Sequence, residues 1–186
     1  MIWALILAIV LFVYVIGIYN KLKRTQQHVK EAWSNIETHL KRRYDLIPNL
    51  VETVKGYAKY EAETFKAVVE ARNAAMNNQS VDPEARAKDE NALSGTLKSL
   101  FALSESYPEL KANESYLNLQ KELVDTEDKI QAARSFYNSA VLSLNTQVDT
   151  FPSNTIAEKF GIKKQSFFEL DETEKKAVKE SPKVSF

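Results

Sequence analysis

The chain has 186 residues, with 25 Lys plus Arg balanced by 25 Asp plus Glu, two His, no Cys, four Gly and five Pro. The balanced charge leaves no basic excess to neutralise phosphates, so nucleic acid is not an expected partner. The scarcity of Gly and Pro excludes a sandwich or barrel, which needs a turn signal roughly every 8–12 residues. The lack of Cys fits a reducing compartment and equally a disulfide-free exported domain.

Ile2 to Tyr19 carry no charge, and Lys21, Lys23 and Arg24 follow at once. About 18 residues at 1.5 Å each give roughly 27 Å, enough to cross a bilayer core. A signal peptide would place basic residues before the apolar run and small residues after it. Here the cations follow and the run closes on Ile18, Tyr19 and Asn20, so an uncleaved anchor is expected. A buried soluble helix would keep a polar face, and this stretch has none. Trp3 and Tyr19 suit interface positions, while Tyr14 lies deeper and suits contact with another helix. Because Lys and Arg beside a span are retained in the cytoplasm, residues 1–20 are predicted to be a single-pass anchor with the N-terminus outside.

The next 150 or so residues have the size of one domain. Val29, Trp33, Ile36, Leu40, Tyr44 and Ile47 recur at steps of four and three, and Val51, Val54, Ala58, Phe65, Val68 and Val69 keep the phase. Pro48 interrupts this pattern by clashing with the carbonyl four residues back and biasing Ile47 away from the α region. The unbroken phase favours a kinked helix, whereas a compact bundle needs a reversal. The reading adopted is a corner, with Asp45 capping a new helix over about 47–77.

Residues 77–80 read as a polar linker. Asp82, Pro83 and Glu84 form an N-cap, a first-turn proline and a first-turn acid, predicting a helix over about 83–105 with Leu93, Leu97, Leu100, Phe101 and Leu103 as its apolar side. Tyr107 and Pro108 close it, and Asn113 caps the last long helix. There Tyr116, Leu119, Leu123, Thr126, Ile130, Ala133, Tyr137, Ala140 and Leu144 alternate steps of three and four for four heptads, over a predicted length of about 50 Å. Phe151, Pro152, Ser153 and Asn154 stop it, and a short helix at about 155–160 ends at Gly161. The expected fold is all-α: a transmembrane helix, an antiparallel up-and-down four-helix-type bundle over 21–168, and a charged, mobile tail over 169–186.

Catalytic and metal motifs are missing. Neither His28 nor His39 has Glu three residues before it, and the two stand about 16 Å apart on one helix, too far to share a metal. Both read as solvated surface residues. There is no Cys nucleophile, phosphate loop or G-x-S-x-G elbow, so no enzyme activity, cofactor or metal is expected. Arg42 and Arg43 read as partners of acids such as Glu37 or Asp45, or more sharply as a clamp for anionic headgroups. Arg72 and Arg134 interrupt apolar helix stretches and suit interior ion pairs or bundle-crossing hydrogen bonds. Phe136, Tyr137, Phe151, Phe160, Phe167 and Phe168 read as a cover over one end of the bundle, or as an exposed docking patch.

As strings, Ala32-Trp33, then Arg42-Arg43-Tyr44-Asp45-Leu46-Ile47-Pro48-Asn49-Leu50-Val51, then Val54-Lys55-Gly56-Tyr57-Ala58 resemble the LemA family of bacterial membrane proteins. The resemblance continues through Ala71-Arg72, Ala133-Arg134, Tyr137-Asn138, Phe151-Pro152-Ser153-Asn154 and Phe160-Gly161, covering the anchor to about Phe168. It implies a short external N-terminus, one span and a cytoplasmic antiparallel helical bundle in the bacterial inner membrane. It supplies no activity and no catalytic residue. Tyr60-Glu61 stands where His-Glu is common in the family, which weakens any acid-base or metal role there. The expected function is that of a membrane-anchored scaffold or adaptor, self-assembling or bound to another membrane protein. The alternatives are a bundle that holds a lipid or amphiphile, or a regulatory partner of a membrane protease or stress system.

Overall fold

The computed structural model describes residues 1–78 and 82–168. Among them all regular structure is helical: α1 (Ile2–Lys55), α2 (Ala62–Asn77), α3 (Pro83–Ser104), α4 (Pro108–Lys111), α5 (Glu114–Asp149) and α6 (Ser153–Lys159). Two compact units are formed, one from Met1–Glu37 with Gln131–Phe167, the other from Thr38–Ile130 with Phe168.

The first unit begins with the apolar part of α1, where an 18-residue window has a mean hydropathy of 2.7 and none of it is buried. By length and composition it can cross a membrane. Beyond it, Leu22, Val29, Ala32 and Ile36 are buried in a core with Ala133, Tyr137, Val141 and Leu144 of α5 and Ile156 and Ala157 of α6. The two long helices run antiparallel here: the Gln147 side-chain amide donates to Thr25 Oγ1 at 3.0 Å, and eight residues along α1 the Trp33 and Tyr137 rings meet at 5.3 Å. After α6, Gly161 adopts φ +64°. Its N–H bonds the Glu158 carbonyl, and the Ile162 N–H reaches back to Ala157 at 2.9 Å, with Ile162 buried. This is a Schellman close, and the left-handed backbone at its centre is why a glycine stands there.

In the second unit, Leu40, Ile47, Leu50, Val51 and Val54 of α1 are buried with Phe65 and Val68 of α2, Leu93, Leu97 and Leu100 of α3, Leu110 of α4 and Tyr116, Leu123 and Ile130 of α5. α2 packs against α3. Asp82 accepts from the Glu84 N–H at 3.2 Å with Pro83 at the first helical position, as its sequence predicts. Asn113 Oδ1 accepts from the Tyr116 N–H at 2.9 Å and so caps α5. The α5 seam goes inward: Tyr116, Leu123, Thr126, Ile130, Ala133, Tyr137 and Leu144 are all buried within this chain.

Four expectations need correction. There is no corner at 45–48: α1 runs unbroken through Pro48 to Lys55, Asp45 is an exposed mid-helix residue, and the chain breaks at 56–61. The helix expected over 47–77 is therefore two. α4 is an additional single turn between α3 and α5, opened by Pro108. α6 starts two residues earlier than its sequence suggests, because Ser153 Oγ donates to the Gln147 carbonyl at 2.6 Å and fixes the entry to the helix. The aromatic cover is formed only in part. Tyr137 and Phe168 are buried and Phe167 is half-buried, while Phe136, Phe151 and Phe160 are exposed, as the alternative of an exposed patch has it. The polar linker lies partly, and the tail from 169 wholly, outside the described residues.

Candidate functional site: a buried ion network under the arginine motif

Pro48 has no N–H, so the carbonyl of Tyr44 loses its helical donor. Arg72 of α2 supplies one instead: its Nε donates to Tyr44 O at 2.8 Å. The proline therefore leaves α1 continuous, and the freed carbonyl becomes a tether between α1 and α2.

One turn earlier, Arg43 is 1 % exposed, a burial that costs several kcal/mol unless the charge is paired. Its Nη2 donates to Glu90 Oε2 of α3, and its Nη1 donates to Glu127 Oε2 of α5 at 2.7 Å and to Ser94 Oγ of α3 at 2.9 Å. Ser94 Oγ in turn donates to Glu127 Oε1 at 3.2 Å. Tyr44 Oη donates to the other oxygen of Glu90. Glu90 is thus buried between a guanidinium and a phenol, whereas the Glu127 side chain is 34 % exposed and keeps partial solvation. Burial first, then the charge of Glu90 and its hydrogen bond, push the Tyr44 phenol well above its ordinary range, against the opposing charges of Arg43 and Arg86. Tyr44 is therefore a fixed donor here, not a base.

The acids that pair with the arginines come from other helices, unlike the intrahelical partners expected. Arg42 reaches Glu122 of α5 at 3.5 Å with both side chains about half exposed. Glu90, Ser94 and Glu127 did not stand out in the sequence. The signal was present for Glu90, which occupies the same stripe as Leu93, Leu97 and Leu100 at steps of three, four and three. A carboxylate in an apolar stripe asks for a buried cation.

The other motif residues fall into three places. Tyr57 Oη accepts from Asn113 Nδ2 at 2.9 Å, joining the loop after α1 to the cap of α5, and Asn49 is exposed, its carbonyl accepting from Thr53 Oγ1 at 2.8 Å. In the first unit the Trp33 ring meets Tyr137 at a tilt of 58°, and the Tyr137 hydroxyl donates to Ser166 O at 3.0 Å; Arg134 is buried and Asn138 half-buried. Phe151 is exposed, Pro152 follows a cis peptide bond, and Asn154 Oδ1 accepts from the Thr155 N–H at 2.8 Å. His28 pairs with Glu31 at 3.4 Å on the surface. Among the described residues no group of three His, Asp or Glu side chains is placed to hold a metal ion.

A cavity of about 230 Å³ adjoins the network. Arg43, Ser94 and Glu127 form its polar pole, Leu97, Phe101, Leu123 and Val124 its walls, and Lys98 and Asp128 its charged rim. A shallower hollow of about 510 Å³ lies between Lys55, Lys59 and Lys66 over Phe65 and Val69.

An all-helical chain with an exposed apolar N-terminal helix, and with its motif arginines engaged in holding helices together, is of the membrane-associated helical class. Comparison with known proteins gives the family. The LemA family model matches residues 32–186, and Protein LemA of Metamycoplasma hominis is 30 % identical over 171 residues, covering 92 % of this chain and 77 % of the relative. The chain belongs to the LemA family. It is also similar to Magnetosome protein MamQ 2 of Paramagnetospirillum magneticum, at 25 % identity, and to Magnetosome protein MamQ of Magnetospirillum gryphiswaldense, at 24 %. In both cases 81 % of this chain aligns with 64 % of the relative, a little under two thirds of its length.

Proposed function

We propose that this protein is a membrane-anchored, non-catalytic interaction module, a scaffold or adaptor of the bacterial inner membrane, with its N-terminus outside and its helical bundle in the cytoplasm. The three cations that follow the span support that orientation. The observation that carries the interaction role is a second apolar surface on α5. The heptad seam is spent on the chain's own core, yet in the second unit Leu117 and Val124 stay exposed. Seven residues apart, they point within about 20° of one another on a straight helix. Such an aliphatic pair suits a helix of another membrane protein or of a second copy. Photo-cross-linking from Leu117 and Val124 in native membranes should give discrete higher-mass adducts. A protein that stays monomeric from both positions, with no co-purifying partner, rules the reading out.

The cavity beside Arg43 supports a second reading, an amphiphile with its polar end at Arg43 and its chain along Leu97 and Leu123. Its volume is below the usual range for ligand sites, which favours the first reading. Native mass spectrometry of detergent-purified protein tests it. A retained small molecule that is lost in Leu97→Trp supports it, and a clean apo mass removes it.

A further inference from the structure

α6 ends against the membrane end of α1. The rings of Tyr19, at the end of the apolar run, and Phe160 meet at 4.6 Å, with the Lys23 ammonium 5.9 Å from the Tyr19 ring. The register of α1 against α5 leads independently to the same level. Thr25 stands beside Gln147 and Trp33 beside Tyr137, so carrying the pairing to the last residue of α5 sets Asp149 beside Lys21–Lys23, where the turn into α6 begins. Phe160 thus stands at Tyr19 itself, and Phe151, two residues past Asp149, within about 7 Å of the Lys21–Lys23 level. The interfacial layer on each side of the hydrocarbon core is roughly 5–7 Å thick, so that level falls inside it.

What stands there matches that layer. Phe151 is 84 % and Phe160 49 % exposed, large apolar surfaces left uncovered by the chain. Lys159 and Lys163 are exposed around them, as are Lys21 and Arg24. The nearby acids are Asp149, which Lys164 neutralises at 2.7 Å, and Glu158. Apolar rings flanked by a cationic excess are the composition of a surface that lies in anionic headgroups.

We propose that the α5–α6 corner is a second membrane contact: Phe151 and Phe160 enter the interfacial layer beside the span, and Lys159 and Lys163 hold anionic lipid headgroups. This rests on the reading that α1 crosses the bilayer. The corner limits the tilt of the first unit, and of the span continuous with it, against the membrane, a tilt that a single span alone leaves free.

The test uses the full chain, whose lack of Cys lets a spin label be placed by single substitution. Phe151→Cys, Phe160→Cys, Val10→Cys in the span and Leu142→Cys, nine residues before Phe151 on the exposed side of α5, are labelled and reconstituted in bilayers of phosphatidylcholine with about one third phosphatidylglycerol. Collision with oxygen against an aqueous nickel chelate reports depth. Positions 151 and 160 should show an oxygen-to-nickel ratio several-fold above that at 142 and below that at 10. Lys159→Glu with Lys163→Glu, its circular dichroism unchanged, should lower the ratio at 151, and pure phosphatidylcholine should do the same to the parent. If 151 and 160 are as wet as 142 while 10 is in lipid, the contact is wrong and the span stands. If 10 is wet too, the span reading fails and takes the contact with it. Labels at 151 or 160 that exclude both reagents and broaden one another mean a second copy covers the corner, which overturns the proposal. A ratio at 151 indifferent to lipid charge and to both lysine changes overturns its electrostatic half.

Discussion

Arg72 and Pro48 should be coupled, and the coupling can be sized. Arg72→Ala removes the 2.8 Å donor to the Tyr44 carbonyl, which Pro48 has already stripped of its helical partner. An orphaned acceptor costs about 1–3 kcal/mol when buried. This bond is only partly buried, so about 1.5 kcal/mol is expected, a fall in melting temperature of about 3–6 °C for a chain of this size. Pro48→Ala restores the helical N–H and relieves the ring clash, partly offset by the greater freedom of the unfolded chain, and should stabilise by about 1 kcal/mol.

In the Pro48→Ala background the carbonyl no longer depends on Arg72. Arg72→Ala should then cost less than about 0.5 kcal/mol, leaving a coupling energy of about 1 kcal/mol. The exposed contact from Arg72 Nη1 to Asn73 at 3.3 Å is lost in both backgrounds and cancels. Thermal unfolding of the four full-length proteins in one detergent, followed by circular dichroism, measures the cycle. Equal losses from Arg72→Ala with and without Pro48 would refute the account of how α1 passes through the proline.

Arg43→Met leaves Glu90 and Glu127 without their cation and should cost about 3–5 kcal/mol in urea unfolding, while the Arg43→Met, Glu90→Met pair should recover at least half of it, since the apolar replacement strands one partly solvated carboxylate instead of two. Gly161→Ala should cost about 1–2 kcal/mol even though nothing lies within 4 Å of the added carbon, because the loss is in the backbone and not in packing; thermal unfolding checks it. Raising the pH tests Tyr44. Its native phenol titrates above the unfolded value of about 10, so its contribution is complete below that pH and is lost as the pH climbs above it toward the native value. Tyr44→Phe should therefore show a shallower fall in melting temperature above pH 10 than the parent, and an identical slope would show that the phenol carries none of the alkaline sensitivity.

Helix type and phase were legible because buried stripes at steps of three and four leave few other folds for a chain with four glycines. Residues 83–104 show this: Asp82 and Pro83 open the helix, and Leu93, Leu97 and Leu100 go inward. The break between the first two cytoplasmic helices was misplaced because proline was weighed by its local cost alone. A donor 24 residues away on another helix repairs the missing bond, and no local rule reports that. Gly56, in the true turn, is the weaker local signal, and it marks the boundary. The partners of Arg43 were hidden for the same reason: ion pairs across helices depend on facing, which periodicity gives, and on register between helices, which it does not.

Within the second unit, one six-residue stretch of α1, Arg43 to Pro48, reaches every long helix around it. Arg43 holds α3 through Glu90 and Ser94 and α5 through Glu127, Tyr44 holds α3 through Glu90 by its hydroxyl, and its carbonyl, freed by Pro48, holds α2 through Arg72. Each residue type has a mechanical reason: a guanidinium because its planar fork spreads donors to acceptors on two helices, a phenol to satisfy the second oxygen of a buried carboxylate, a proline to release a carbonyl without ending the helix. In this structure the guanidinium of Arg43, the phenol of Tyr44 and the carbonyl that Pro48 frees are all engaged in joining helices. On the readings proposed above, recognition falls to surfaces outside this network: the exposed aliphatic pair of α5 and the phenylalanines of the α5–α6 corner.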